Sequence, residues 1–336
     1  MLAIFTILHF LVDGVCAAAM AAYAAGEPML APIVYYFGLY NAIAFGTQWL
    51  TGLLFDRKEN WIRYAFLFVL VTLGAGTQTG LGIAAQTVLL GIGNSVFHVA
   101  AGSLVLRQYD TYREPGIFVC SGAVGLALGL NRFAGVYPFL FACAALCAAA
   151  TFRLCRMQIP ETVPDRPVSG AALLGTEQPA VAADWAAGLC LVLLLGCIVL
   201  RGFGGGNAAG PHVMLFPCVF AAGKALGGIL CDKAGYQKTI LFIFLLSFGA
   251  LQLSGLAASV LLILAFNMTM PLTLRLVHWC GPRYPGMMFG LAAGCLLPGV
   301  FFRGFSFPSQ AMAVLQFLCL AAAGYLLRKK TNSLFN

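Results

Sequence analysis

Residues Gly223–Lys238 read GKALGGILCDKAGYQK, and the fold follows from this stretch. An apolar helix ends there. An acid and a cation follow, then a glycine turn and a second cation, before a new apolar run opens at Ile240. The first half of the chain carries a worn copy, Thr51–Arg63, TGLLFDRKENWIR. Gly52 and Gly228 each precede an acid by four residues, Asp56 and Asp232, and a cation follows each acid at once, Arg57 and Lys233. The two acids stand about half the chain apart. A helix–charged loop–helix unit repeated at that distance predicts two similar bundles joined by a linker.

The composition agrees. Of 336 residues, 61% are hydrophobic and only 9% charged, against about 25% charged in a soluble domain. So few charges cannot coat a water-exposed surface of this size, and the lipid bilayer is the expected surrounding. The net charge of +8 is spread over short loops, which argues against nucleic acid as a partner. Most of the twelve cysteines, including Cys143, Cys147, Cys190, Cys197 and Cys319, lie inside apolar runs without CxxC spacing, so they read as reduced small hydrophobes. No metal site or cofactor is expected. Leu2–Leu11 resembles a signal-peptide core, but no basic segment precedes it, and His9 and Asp13 interrupt it. It is read as a first spanning helix.

A spanning helix needs about 20 apolar residues. The apolar runs predict an all-α polytopic membrane protein with twelve spans, at 2–25, 31–55, 62–81, 83–106, 116–135, 137–156, 185–203, 211–231, 239–257, 259–279, 286–303 and 308–327. Two hairpin turns are expected at Gly80–Gly82 and Ala257–Ser259. Residues 157–184 hold Pro160, Pro164, Pro167 and Pro179 with few bulky apolar side chains, and read as a flexible linker. The expected units are 1–156, the linker 157–184, and 185–336. Most of the nineteen Lys and Arg collect in alternate loops, among them Arg57, Lys58, Arg107, Arg113, Lys233, Lys238 and Arg283. By the positive-inside rule both termini and the linker are cytoplasmic.

Ionisable groups inside the spans carry the functional reading, because each costs about 2.5–3.5 kcal/mol or more unless it faces a cavity or a partner. At about 1.5 Å per residue, Asp13, His9 and His98 lie roughly 18, 12 and 14 Å from the inner face, near the midplane. His9 and Asp13 are i,i+4, as are Asn94 and His98, so each pair shares a helix face. A carboxylate beside imidazoles can pass a proton. Lys224 lies roughly 12 Å deep, too far to snorkel, and can hold an anionic solute or balance Asp13. Arg201, Asn94, Asn41, Gln48 and Asn267 complete the expected solute-binding set, with two alternatives: Arg201 snorkels to the outer face, and Asn41, Gln48 and Asn267 bind helices together. Arg275 and His278, near an inner helix end, are expected to snorkel outward. Gly286, Gly290 and Gly294 form GxxxGxxxG, and Gly122, Gly125 and Gly129 a looser set, both suited to close helix packing.

The pattern G-x-x-x-D-[RK]-x-G resembles the loop between the second and third helices of major facilitator superfamily transporters, with its echo in their second half. The resemblance implies two six-helix bundles rocking around a midplane site, with Gly52, Asp56, Arg57, Gly228, Asp232, Lys233, Gly235 and Lys238 forming loops that latch one side. Glu59 stands where the first loop has glycine in that family, and Asn60 and Trp61 where it has cations, which predicts either a weaker first latch or Arg63 as the replacement cation. HFLVD at 9–13, GNSVFH at 93–98 and Leu200-Arg201-Gly202 are similar to elements of the fosmidomycin-resistance branch. Val99 replaces that branch's proline. This second resemblance implies a proton-driven antiporter exporting a small organic molecule, as in drug resistance. It also implies a monomer in a bacterial cytoplasmic membrane, with protons and a small-molecule substrate as partners. The residues themselves leave open a proton symporter or uniporter importing an organic anion, and a non-transporting sensor or assembly factor of the same fold. No GxSxG or HExxH motif points to an enzyme.

Overall fold

The computed structural model describes residues 1–133, 135–157, 185–203, 213–302 and 308–332, with side chains described to Leu327. Apart from Met157, the expected linker lies outside the described residues. Among these residues every regular element is helical. The first half comprises α1 (Leu2–Gly26), α2 (Leu30–Gly46), α3 (Gln48–Arg57), a 3-10 turn (Glu59–Trp61), α4 (Ile62–Gly76), α5 (Ile83–Gln108), α6 (Arg113–Cys120), α7 (Gly122–Leu130) and α8 (Val136–Arg156). The second comprises α9 (Trp185–Phe203), α10 (Leu215–Ala234), α11 (Tyr236–Ala250), α12 (Gly255–Cys280), α13 (Pro285–Gly294), α14 (Leu297–Phe301) and α15 (Ser309–Asn332). Together they make the twelve spans of two pseudo-symmetric six-helix bundles.

Only seven of the described helices are long and apolar enough to cross a membrane unaided. Three spans are broken, each for a local reason. The second breaks at Thr47, whose hydroxyl bonds the Ile43 carbonyl at 2.7 Å and meets Ser95 of α5 at 2.9 Å. The fifth breaks at Ser121, whose hydroxyl donates to the Thr6 carbonyl of α1 at 2.6 Å. The eleventh breaks at Cys295–Leu296, just before Pro298, which has no N–H for the Gly294 carbonyl. The expected hairpin at Ala257–Ser259 sits earlier. The turn is Leu251–Ser254, and Gly255 takes φ +68 as α12 opens. Glycine tolerates that backbone, so the apolar run masked a turn that needs no polar loop.

The bundles meet through two equivalent contacts. α3 packs on α13, and α6 packs on α10. Both are glycine contacts. A Cβ on Gly52 would land on the Gly286 backbone, one on Gly290 on the Gln48 backbone, and one on Gly228 on the Tyr112 carbonyl. The GxxxG row of the eleventh span is thus the seam with the second, where close backbone approach replaces the hydrophobic drive absent in lipid. Gly52→Val should therefore lower the thermal unfolding midpoint in detergent, since overpacking costs about 1–3 kcal/mol. It should also raise alkylation of Cys280, which is half-buried beyond this seam. A variant that melts and labels like the parent protein would show that the seam yields without cost.

Candidate functional site

α1, α5 and the break between α6 and α7 bring His9, Asp13, Asn94 and His98 together. Asn94 Nδ2 donates to Asp13 Oδ1 at 2.9 Å. Asp13 Oδ2 lies 3.3 Å from His9 Nε2, and Oδ1 lies 3.7 Å from His98 Nε2. The other imidazole nitrogens are committed. His9 Nδ1 meets the Phe118 carbonyl at 2.9 Å, and His98 Nδ1 meets the Asn94 carbonyl at 2.9 Å. A carbonyl only accepts, so both Nδ1 atoms carry hydrogen and, in neutral rings, both Nε2 atoms are bare lone pairs. Yet the two Nε2 atoms are 2.9 Å apart. Two facing lone pairs repel at that separation, and one proton between them converts the contact into a hydrogen bond. The cluster thus has a place for one additional proton, beside a carboxylate that keeps 16% of its side chain accessible.

Sequence reasoning found these four residues but not what seats them. Gly122, the first residue of α7, faces the pair so closely that a Cβ there would land on His9 Nε2 and Asp13 Oδ2. The glycine spacing of the fifth span was visible, and its purpose was not. Tyr40 of α2 reaches Cys16 and Asn94, while Cys16 turns its thiol to the Leu90 carbonyl at 3.8 Å. Although no metal was expected, the donor atoms of His9, Asp13 and His98 lie within 4.8 Å of one another, so a divalent cation fits the same space. With Cys16 turned away, the set stops at three side chains.

The other expected solute residues separate. Lys224 of α10 is half-buried and donates to the Val119 carbonyl of α6 at 3.2 Å. It forms no direct ion pair with Asp13, which lies only within longer electrostatic reach of it. Arg201 of α9 is buried and donates to Thr273 of α12 at 3.1 Å. Asn41, Gln48 and Asn267 each return their amide hydrogens to the carbonyl four residues back, those of Phe37, Ala44 and Ile263. Gln48 has no exposed surface, because the backbone of Gly290 lies against it. A solute has no access to it here.

The charged loops form a second site at one end of the bundle. Asp232 accepts from the backbone N–H groups of Tyr112 and Arg113 at 2.9 and 2.8 Å, so it caps α6 from the opposite bundle. Asp56 does the same for α13, accepting from Gly286 and Met287 at 3.0 and 2.8 Å. The carboxylates also meet the positive ends of those helices. The expected partner cations are displaced. Arg57, Lys233 and Lys238 are exposed and form no ion pair among the described residues. Arg107 of α5 instead bridges Asp56 at 3.0 Å and Glu59 at 2.5 Å. Glu59, which replaces the usual glycine, is therefore a working member of the first loop. Gly235 ends α10 at φ +85, where a side chain would be strained; the first loop forms a 3-10 turn instead.

Arg275 and His278 do not snorkel. Arg275 is fully buried and donates across the bundle seam to the carbonyls of Leu106, Tyr109 and Thr111, the first at 3.2 Å and the last at 3.1 Å. His278 is buried beside it. Tyr112 stacks on Tyr236 and sets its edge against Trp279. The 109–113 connection is thus held by Asp232 on its N–H groups, by Arg275 on its carbonyls and by two aromatic rings. Snorkelling was inferred from depth alone, and depth does not reveal that unpaired carbonyls of another helix end lie nearer than water.

No protein-family model and no curated protein matches the chain. Solved structures do. The human organic anion transporter MFSD10 (TETRAN) aligns with TM-score 0.60 at 15% identity, covering 96% of this chain and 98% of that one. The major facilitator superfamily transporter FucP in its outward conformation aligns at TM-score 0.65 and 12% identity, covering 98% of both chains. A bacterial homologue of the iron transporter ferroportin, outward-facing, aligns at TM-score 0.52 and 11% identity over 99% and 100% of the two chains. At these identities the likeness establishes the major facilitator fold. The fosmidomycin-resistance branch is not among these three structures.

Proposed function

We propose that this chain is a proton-coupled secondary transporter of a small organic molecule, working by alternating access. The observation that carries the reading is the His9–Asp13–His98 cluster, which stands one proton short at the middle of α1 and α5. The caps at Asp56 and Asp232 supply the second requirement, because each crosses from one bundle to the other and must break if that end opens. Two six-span units, 1–156 and 185–336, rock about the midplane, and 157–184 is a cytoplasmic linker. The latched end carries the cation-rich loops and is the cytoplasmic one, so the described conformation is closed to the cytoplasm. Lys224 and Arg201 face the solute, the protein acts as a monomer, and its membrane is a bacterial inner membrane.

A proton at this cluster can be used in two ways. Exchange against an outgoing solute is what the efflux resemblance implies. Carriage of solute and proton together is the other, and the sign of the neighbouring charges favours it. The test is a growth screen across toxic compounds and metabolites with and without the gene, followed by counterflow of each hit in proteoliposomes under an imposed pH gradient. The expected result is solute counterflow whose steady state follows the gradient. Absence of counterflow for every hit would replace this reading with that of a sensor or assembly factor.

A further inference from the structure

We propose that the solute is a small organic anion seated between Lys224 and Arg201, and that it occupies the protein together with the proton at His9, Asp13 and His98. The inference rests on the transporter reading and gives it a substrate class and a coupling sign.

Arg201 carries five N–H donors. Its Nη1 serves Thr273 at 3.1 Å and reaches Thr269 at 3.5 Å. Among the described residues its remaining nitrogens have no hydrogen-bond partner, and they are not among the fully enclosed unpaired atoms. Lys224 uses one of three hydrogens, on the Val119 carbonyl. Among the described residues no carboxylate comes within the 4.0 Å ion-pair range of either cation. The two cations are within electrostatic reach of each other, and Asp13 is within reach of Lys224.

With both histidines neutral, Asp13 offsets only one of the two cations. An unpaired charge at this depth is costly, and an incoming anion relieves that cost. A carboxylate, phosphonate or phosphate monoester suits the site, since guanidinium offers such groups a planar fork. Thr269 and Thr273 hold Arg201 by one nitrogen, and among the described residues the rest of the fork is unpaired.

The coupling follows from charge. The ionisable groups facing the cluster are Cys16 on its own helix, Tyr40 of α2, His98 of α5 and Lys224 of α10, while α6 and α7 present the Phe118 carbonyl and Gly122. A proton there makes the neighbourhood more positive and strengthens anion binding. By linkage, a bound anion strengthens proton binding by the same factor. Solute and proton therefore enter and leave as a pair. An antiporter needs each to expel the other, and for an anion these charges have the wrong sign.

Two half-buried thiols report on the site, Cys120 within reach of Lys224 and Cys295 within reach of Arg201. The test uses the full chain in detergent at low buffer strength, with acetate, benzoate, succinate and methylphosphonate as probes and tetraethylammonium chloride as the cationic control. The readouts are maleimide labelling resolved by residue and a pH dye. At least one anion should protect both thiols and remove about one proton per site from the medium. Tetraethylammonium should do neither. Lys224→Gln and Arg201→Gln should weaken protection about 10–100-fold, the worth of a charged hydrogen bond. Lys224→Arg should restore most of it, and this pair decides if Arg201→Gln fails to elute as a folded monomer.

Protection by none of the four anions, protection that ignores both substitutions, or proton release on anion binding would each overturn the proposal. Gradient-driven transport of cations or neutral compounds, unaffected by these anions, would remove this inference and leave the transporter reading in place. Anion binding with proton uptake but no counterflow would remove the transporter reading alone.

Discussion

Asp13→Asn abolishes accumulation driven by a pH gradient and leaves solute exchange at equilibrium intact. The two Nε2 lone pairs of His9 and His98 face each other at 2.9 Å. In the parent protein a proton relieves that contact, and the Asp13 carboxylate makes the proton's charge tolerable. An asparagine has nearly the same shape and keeps a carbonyl oxygen for Asn94. Its amide hydrogens can also satisfy one imidazole lone pair without any proton. The variant thus resembles the protonated, neutralised state permanently. One pH unit is worth about 1.4 kcal/mol, or about tenfold accumulation per coupled proton. In proteoliposomes the parent should approach that ratio, and Asp13→Asn should stay near unity while counterflow persists. An undiminished gradient response in the variant would assign the coupled proton to another group.

The second large effect concerns the latched end, where Asp56→Ala should open the protein more than Asp232→Ala does. Each acid accepts two backbone N–H bonds from the opposite bundle. Bonds to a charged group contribute about 1.5–3 kcal/mol each, so loss of either cap should shift the closed-to-open ratio at least about tenfold. Asp56 has a further consequence. Its removal leaves Arg107, only 2% exposed, with Glu59 as its one remaining ion-pair partner among the described residues. Asp56 Oδ1 serves both Arg107 and the Gly286 N–H, so without it the guanidinium faces the positive end of α13 in the closed state alone. The measurement is alkylation of Cys231 and Cys280, buried and half-buried near this end, with exposed Cys155 as the internal standard. A larger rise for Asp232→Ala would restore the order that the worn first loop implied from sequence.

That reversal marks the boundary between what the chain shows by itself and what it shows when folded. Composition, the apolar runs and the repeated acid loop determined twelve spans, because a bilayer admits few backbone arrangements and each leaves a compositional trace. Helix periodicity likewise placed His9 with Asp13 and Asn94 with His98, since i,i+4 neighbours share a face in any helix. Contacts between helices were not legible. Nothing local to Gly122 says that it lies against a histidine and a carboxylate. Nor does the sequence around Arg275 say that the 109–113 carbonyls await it, or that around Glu59 that Arg107 lies within 2.5 Å. These pairings join residues 48 to 166 positions apart. Their partners are chosen by how two bundles dock, and docking depends on glycine seams that fix which surfaces can touch.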